Sequence, residues 1–212
     1  MMINKTEEFR MYKNAFEALA IFAEIRGFQK MKHALFLAEE AHRGQYRMAV
    51  GDEQPLPYIT HVLQVCATLI AATPKMPDED LDTLYAAALL HDTMEDCPDL
   101  YPCTEALAES AGTDVAKVVQ LLTKQHGATA SELEVYFDRI GTNRMSTLIK
   151  LSDRSHNVST MTAMRPEKKQ EYIAETKRYV YPLSKRGKTA YPELAHSIQV
   201  IDRKIRYYTE SA

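Results

Sequence analysis

The sequence predicts an all-α fold, a single compact multi-helix bundle. Three observations carry this. Apolar residues recur at three- and four-residue spacing along most of the chain. No convincing alternation of apolar and polar residues marks a strand. No repeat, low-complexity tract or long linker divides the 212 residues, a length that fits one domain and can bury a substantial core.

The elements follow in order. A first amphipathic helix is expected over residues 5–25, and a second over 29–45 places Met31, Leu35, Ala38 and His42 on one stripe. "MAVGDEQPLP" (48–57) contains Gly51, Pro55 and Pro57 and reads as a loop. A third helix begins at Tyr58, with Val62, Val65, Cys66, Leu69 and Ile70 apolar. Pro74 and Pro77 end that region. "DEDLDTLYAAALLHD" then opens a helix with an acidic first turn, where the helix dipole favours negative charge. "CPDLYPC" is a loop. Further helices are expected over 103–111, 114–125, 130–140, 142–162, 167–181 and 191–209, with Pro166 at a helix start and Pro182 just past an end.

Composition narrows the function. A formal net charge of −3 argues against a nucleic-acid-binding surface but leaves room for a local basic pocket that takes a phosphorylated small molecule. Cys66, Cys97 and Cys103 form no C-x-x-C pair and read as free thiols, with Cys66 as core filler. "AFEALAIFAEI" is interrupted by Glu17 and Glu24, too short and too charged for a signal peptide or membrane span. No membrane or nucleic-acid partner is expected, and a cytoplasmic location is.

The chemistry concentrates in "AALLHDTMED" (87–96), where an apolar run ends in His91-Asp92 and Glu95-Asp96 follow within a turn. One imidazole and three carboxylates this close repel or shift one another unless something positive sits among them. The seven histidines are His33, His42, His61, His91, His126, His156 and His196. His61 and His91 stand out: His91 precedes Asp92, and His61 follows "PYIT" at a helix opening. Downstream, Ile149, Asp153, Asn157 and Thr160 share a helix face, so Asp153 on a core-facing stripe must be paired or metal-bound. Two imidazoles and two carboxylates from three helices suit a divalent first-row metal such as Mn²⁺. The same residues also fit a solvated helix end at Glu95-Asp96, with Asp153 paired to Lys150 or Arg154. Spacing does not choose between the two.

"AHRGQYR", "PYITH", "AALLHDTMED" and "KLSDRSHNVSTM", in this order, resemble the hydrolase domain of the RelA/SpoT alarmone enzymes, within the HD phosphohydrolase superfamily. The similarity spans roughly residues 29–182, and "ETKRYVYPL" (175–183) matches the family's last characteristic helix. The resemblance implies an HD-domain bundle acting as a stand-alone small alarmone hydrolase. It implies metal ligands at His61, His91, Asp92 and Asp153, with one divalent ion, Mn²⁺, as cofactor. Glu95 and Asp96 would be the acidic pair that activates the attacking water. Arg47 would lie against the purine base, where a flat guanidinium suits it, and Asn157 and Thr160 would line the nucleoside pocket. His42 and His156 match family positions and read as supports for the ligands rather than ligands. Lys150 and Arg154 are candidates for phosphate contact or for pairing with nearby acids, and "SKRGK" (184–188) reads as a solvated basic loop.

The sequence departs from the family in two places. The link between Arg47 and Tyr58 is longer, and Val62 replaces the proline that normally follows the ligand histidine. The expected activity is 3′-pyrophosphohydrolysis of guanosine 3′-diphosphate 5′-di- or triphosphate, a small-molecule nucleotide. The alternatives keep the metal but take an adenine alarmone, the 2′-phosphate of NADPH or a nucleoside monophosphate, or make the chain a non-catalytic nucleotide sensor. Intact Glu95-Asp96 favours an enzyme over a sensor. A cyclic-dinucleotide phosphodiesterase is disfavoured, because the three Tyr-Pro pairs follow Leu100, Val180 and Ala190 and no "GYP" occurs.

Overall fold

Two helices open the chain, α1 (Lys5–Arg26) and α2 (Gln29–Ala41), packed together across Gly27, whose φ of 69° lets the backbone reverse. The computed structural model describes residues 5–47, 55–124 and 127–211. Helix α2 stops at Ala41, short of the expected residue 45. A turn over 42–44 follows, with Gly44 at φ 74°. The turn releases an extended strand, β1 (Tyr46–Arg47), that pairs antiparallel with β2 (Leu56–Pro57). The sequence showed no strand here because two residues are too few to display alternation. Most of the expected 48–57 loop, residues 48–54, lies outside the described residues, as does His126.

The centre of the bundle is built by α3 (Ile59–Ala72), α4 (Asp78–Leu89) and, further on, α9 (Arg144–Ser159). Helix α4 carries Asp78, Glu79 and Asp80 in its first turn, and its second half, Ala86 to Leu89, is fully enclosed. Leu148, Ile149 and Leu151 of α9 are buried, and α9 packs against α3, where Cys66 is core filler as expected. The Ser152 hydroxyl donates to the Val65 carbonyl at 2.9 Å, pinning α9 to α3. Between α4 and α9 lie α5 (Thr93–Asp96), α6 (Thr104–Ala111), α7 (Thr113–Leu122) and α8 (Ala130–Gly141). Thr129 and Glu132 close a reciprocal capping box at the start of α8, and the Asn143 side chain caps α9 by accepting from the Met145 and Ser146 amides.

The C-terminal third holds α10 (Pro166–Glu175), α11 (Tyr181–Ala190) and α12 (Ala195–Glu210). Three expected helices prove subdivided: a 3₁₀ turn, Met161–Ala163, follows α9, a π turn, Thr176–Val180, joins α10 to α11, and a 3₁₀ turn, Pro192–Leu194, precedes α12. Helix α11 corrects the sequence reading. Pro182 does not end a helix: helical backbone runs on from α10 through the π turn into α11, of which Pro182 is the second residue, and "SKRGK" is helical rather than a loop. Gly187 within it is buried. A Cβ there would lie 3.0 Å from Thr147 Cγ2 and 3.1 Å from Ile198 Cδ1. Gly187→Ala should therefore lose about 1–3 kcal/mol of stability through overpacking. An unchanged denaturant midpoint would mean that α11 can retreat from α9 and α12. Among the described residues, no helix is long and apolar enough to cross a membrane.

Candidate metal centre

The end of α4, the first turn of α3 and the middle of α9 meet at one buried point. His61 enters from α3, His91 and Asp92 from the turn after α4, and Asp153 from α9. Donor atoms of His61, His91 and Asp153 all lie within 4.8 Å of one another. Asp92 joins them: its Oδ2 is 3.1 Å from His91 Nε2 and 3.4 Å from His61 Nε2. Asp153 Oδ1 is 3.3 Å from His61 Nε2 and 3.9 Å from His91 Nε2. The four residues named from the sequence are thus brought together.

Each donor is aimed by a neighbour. His91 Nδ1 donates to the Ala88 carbonyl at 2.8 Å, which leaves Nε2 pointing inward, buried and without a hydrogen-bond partner. The Tyr58 hydroxyl donates to Asp92 Oδ2 at 2.7 Å. Lys150 Nζ holds Asp153 Oδ2 at 2.9 Å, and Asn157 Nδ2 donates to Oδ1 at 2.5 Å. Burial alone would raise both carboxyls and lower His91. The imidazoles, and for Asp153 first the Lys150 ammonium, outweigh it and hold Asp92 and Asp153 well below the usual carboxylate range. The Asp92 and Asp153 carboxylates likewise outweigh burial at His91 and push it up to about 10. Without a cation, a proton on His91 supplies the positive charge that the carboxylates demand. A buried, unpartnered imidazole nitrogen facing two carboxylate oxygens fits a divalent ion with mixed nitrogen and oxygen donors.

Glu95 and Asp96 lie on α5, immediately beside this point and half-buried rather than at a solvated helix end. Glu95 Oε1 accepts from the Lys124 amide at 2.7 Å, and burial still raises its pKa above the usual 4.5. A cleft of about 710 Å³ lies beyond it, lined by Met94, Lys124, Tyr136 and Arg139 among others. Asp153 pairs with Lys150 through Oδ2 while Oδ1 stays towards the imidazoles, so the pairing with Lys150 does not use up the carboxylate. Arg154 instead pairs with Glu175 and lies over the Tyr172 ring at 4.0 Å.

A second cleft, of about 730 Å³, has walls that include Arg47, Tyr58, Gln64, His156 and Thr160. Arg47 reaches it from β1 and donates to Asn157 Oδ1, and its guanidinium lies 5.5 Å from the Tyr58 ring centroid. Asn157 sits behind Arg47, between it and Asp153, while Thr160 is exposed at the cleft. His42 bonds Gln45 and stacks on Tyr58 at 4.7 Å, and His156 Nδ1 touches His61 Nδ1 at 2.7 Å. Burial, then His61 and Arg47, drive His156 down to about 3. The sequence reading missed Tyr58 as the partner of Asp92 and the Lys124 amide as the partner of Glu95. Tyr58, three residues before His61, carried a helical-spacing signal. The Lys124 contact carried none, because it is made by a backbone group.

A family model described as an HD domain matches residues 34–188. The chain belongs to the HD domain family. Its relatives are of the RelA/SpoT type. It is 33% identical over 163 residues to the bifunctional (p)ppGpp synthase/hydrolase SpoT of Escherichia coli strain K12, covering 74% of this chain and 22% of that protein. It is 35% identical over 158 residues to the guanosine-3′,5′-bis(diphosphate) 3′-pyrophosphohydrolase of Haemophilus influenzae, covering 71% and 21%. The chain therefore spans little more than a fifth of the length of these curated relatives. A solved structure of a metazoan ortholog of SpoT, a protein that hydrolyzes ppGpp, superposes with a TM-score of 0.63. It shares 22% identity and covers 83% of this chain and 95% of that one, a likeness of fold.

Proposed function

We propose that the chain is a Mn²⁺-dependent 3′-pyrophosphohydrolase of guanosine 3′,5′-bis-pyrophosphate alarmones, with His61, His91, Asp92 and Asp153 holding the metal. The observation that carries this is the four-residue donor set, three of its members buried, with an acidic pair next to it in sequence and an Arg47-lined cleft whose wall includes His156, the neighbour of His61. The relatives' names support the choice of nucleotide. A bound divalent ion supplies Lewis acidity to phosphoryl oxygens and water.

The chain's own residues supply the rest. Arg47 takes the purine face and Thr160 adjoins the sugar, with Asn157 holding Arg47 from behind, so the 3′ chain rather than the 5′ chain points to the centre. Glu95, its pKa raised by burial, accepts the proton of the attacking water, and Asp96 orients that water. Water oxygen bonds to the 3′-α-phosphorus, the bond from that phosphorus to O3′ breaks, and O3′ takes up the proton that Glu95 accepted, so that pyrophosphate departs and a free 3′-hydroxyl remains.

The test is the product. With Mn²⁺ and no added pyrophosphatase, the tetraphosphate should give GDP and pyrophosphate in equal amounts. Orthophosphate as first product, or turnover only of NADPH, an adenine alarmone or a monophosphate, would reject the guanosine reading. Binding without turnover would make the chain a sensor. At saturating metal, Arg47→Ala should raise KM more than it lowers kcat, because base contact is made equally in ground and transition states.

A further inference from the structure

We infer that Arg47 sets the polarity of two hydrogen-bond chains, relayed by His156 and Asn157, that turn His61 and Asp153 towards the cation. This rests on the metal centre proposed above and assigns Arg47 a positioning role beyond contact with the base.

A guanidinium can only donate hydrogen bonds. Arg47 Nη1 points at His156 Nδ1, 3.4 Å away, so that nitrogen must accept and His156 carries its proton on Nε2. His156 Nδ1 lies 2.7 Å from His61 Nδ1. Two ring nitrogens at that distance need one proton between them, and a proton on His156 Nδ1 would face the guanidinium, so its single lone pair is shared by two donors, closely by His61 and at 3.4 Å by Arg47. The proton therefore belongs to His61 Nδ1. The lone pair of His61 is left on Nε2, the atom 3.3 Å from Asp153 Oδ1 and 3.4 Å from Asp92 Oδ2. The opposite tautomer would aim an N–H at the cation.

The contrast with His91 shows why the relay matters. His91 Nδ1 faces the Ala88 carbonyl, a group that can only accept, so the backbone of α4 sets its tautomer locally. His61 faces another imidazole, which could either give or take a proton. Only the arginine at the far end decides. The second chain follows the same rule. Arg47 Nη2 donates to Asn157 Oδ1, which turns the amide so that Nδ2 must face Asp153 Oδ1 as a donor. Lys150 holds the other oxygen. One residue of β1 thus orders ligands on α3 and α9, across 109 and 110 positions of sequence at its two direct contacts.

The experiment is Mn²⁺ titration of the metal-free protein without nucleotide, following free Mn²⁺ by electron paramagnetic resonance. His156→Leu removes the acceptor and should weaken Mn²⁺ binding roughly 10- to 100-fold, the usual cost of losing a partner of a metal-bound imidazole. Arg47→Ala should do likewise. His156→Asn, whose Oδ1 can stand where Nδ1 stood, should recover most of the loss. Equal affinity in His156→Leu and the unaltered protein would overturn the inference, and so would equal losses in the Leu and Asn variants, which would mark a packing role. Should His156→Leu fail to fold, nitrogen-15 spectra of the unaltered, metal-free protein decide: His156 must carry its proton on Nε2, and a proton on Nδ1 ends the proposal. If the unaltered protein binds no Mn²⁺, the metal-centre reading itself has failed, an outcome distinct from the others.

Discussion

His91→Ala and Asp153→Ala are each expected to abolish metal binding and hydrolysis together, and with them the stabilisation that metal gives. A metal that binds only the folded state adds about 2.7 kcal/mol at a hundredfold excess over its dissociation constant. That increment, read as the rise in Tm on adding Mn²⁺, should vanish in both variants. The metal-free protein should show the matching pH dependence. Its folded state holds the His91 imidazolium up to about 10, against 6.5 for the free side chain. The contribution of this group to stability is whole below pH 6.5 and is lost as pH rises towards 10. Since the metal must displace that proton, metal affinity should rise across the same window, with proton release on binding. His91→Ala removes both slopes. Full metal occupancy in His91→Ala, or a metal-dependent Tm rise equal to that of the unaltered protein, would sink the ligand assignment.

Glu95→Gln should leave metal and nucleotide binding in place while kcat falls by about two orders of magnitude or more, the contribution of one positioned acid–base group. Gln keeps an oxygen that can accept from the Lys124 amide, so the local geometry survives and only the basic carboxylate is lost. Because burial raises the Glu95 pKa, the acidic limb of the rate profile of the unaltered enzyme should lie above the range of an exposed glutamate. Metal loss accompanying the rate loss would make Glu95 a ligand. An unchanged rate would leave the proton transfer to Asp96.

The helical periodicity of residues 29–41, 59–72 and 144–159 was legible because a 3.6-residue repeat is a local property that any amphipathic stretch displays. The departures came where local signals conflict or are too short. Pro182 reads as a stop until its place in the first turn of α11 is known, and the two-residue strands at Tyr46–Arg47 and Leu56–Pro57 have no length in which to alternate. Gly187 looked like loop composition, yet it is the place where α11 closes on α9 and α12.

The sequence by itself determined which residue types were available for the centre and which shared a helix face, as Asp153 and Asn157 do four residues apart. It also determined that an aspartate on an apolar stripe needed a partner, since a lone buried carboxylate is too costly. Only the tertiary structure decided which partner. Lys150 took one oxygen of Asp153 while the other stayed towards His61 and His91, and Arg154 turned away to Glu175. The same holds for the tautomer of His61, which depends on an imidazole and a guanidinium that approach from other elements. The physical reason is one of range. Helix periodicity orders side chains within a turn or two, whereas the direction of a hydrogen bond between residues 47, 61 and 156 exists only once packing has set three separate elements against one another.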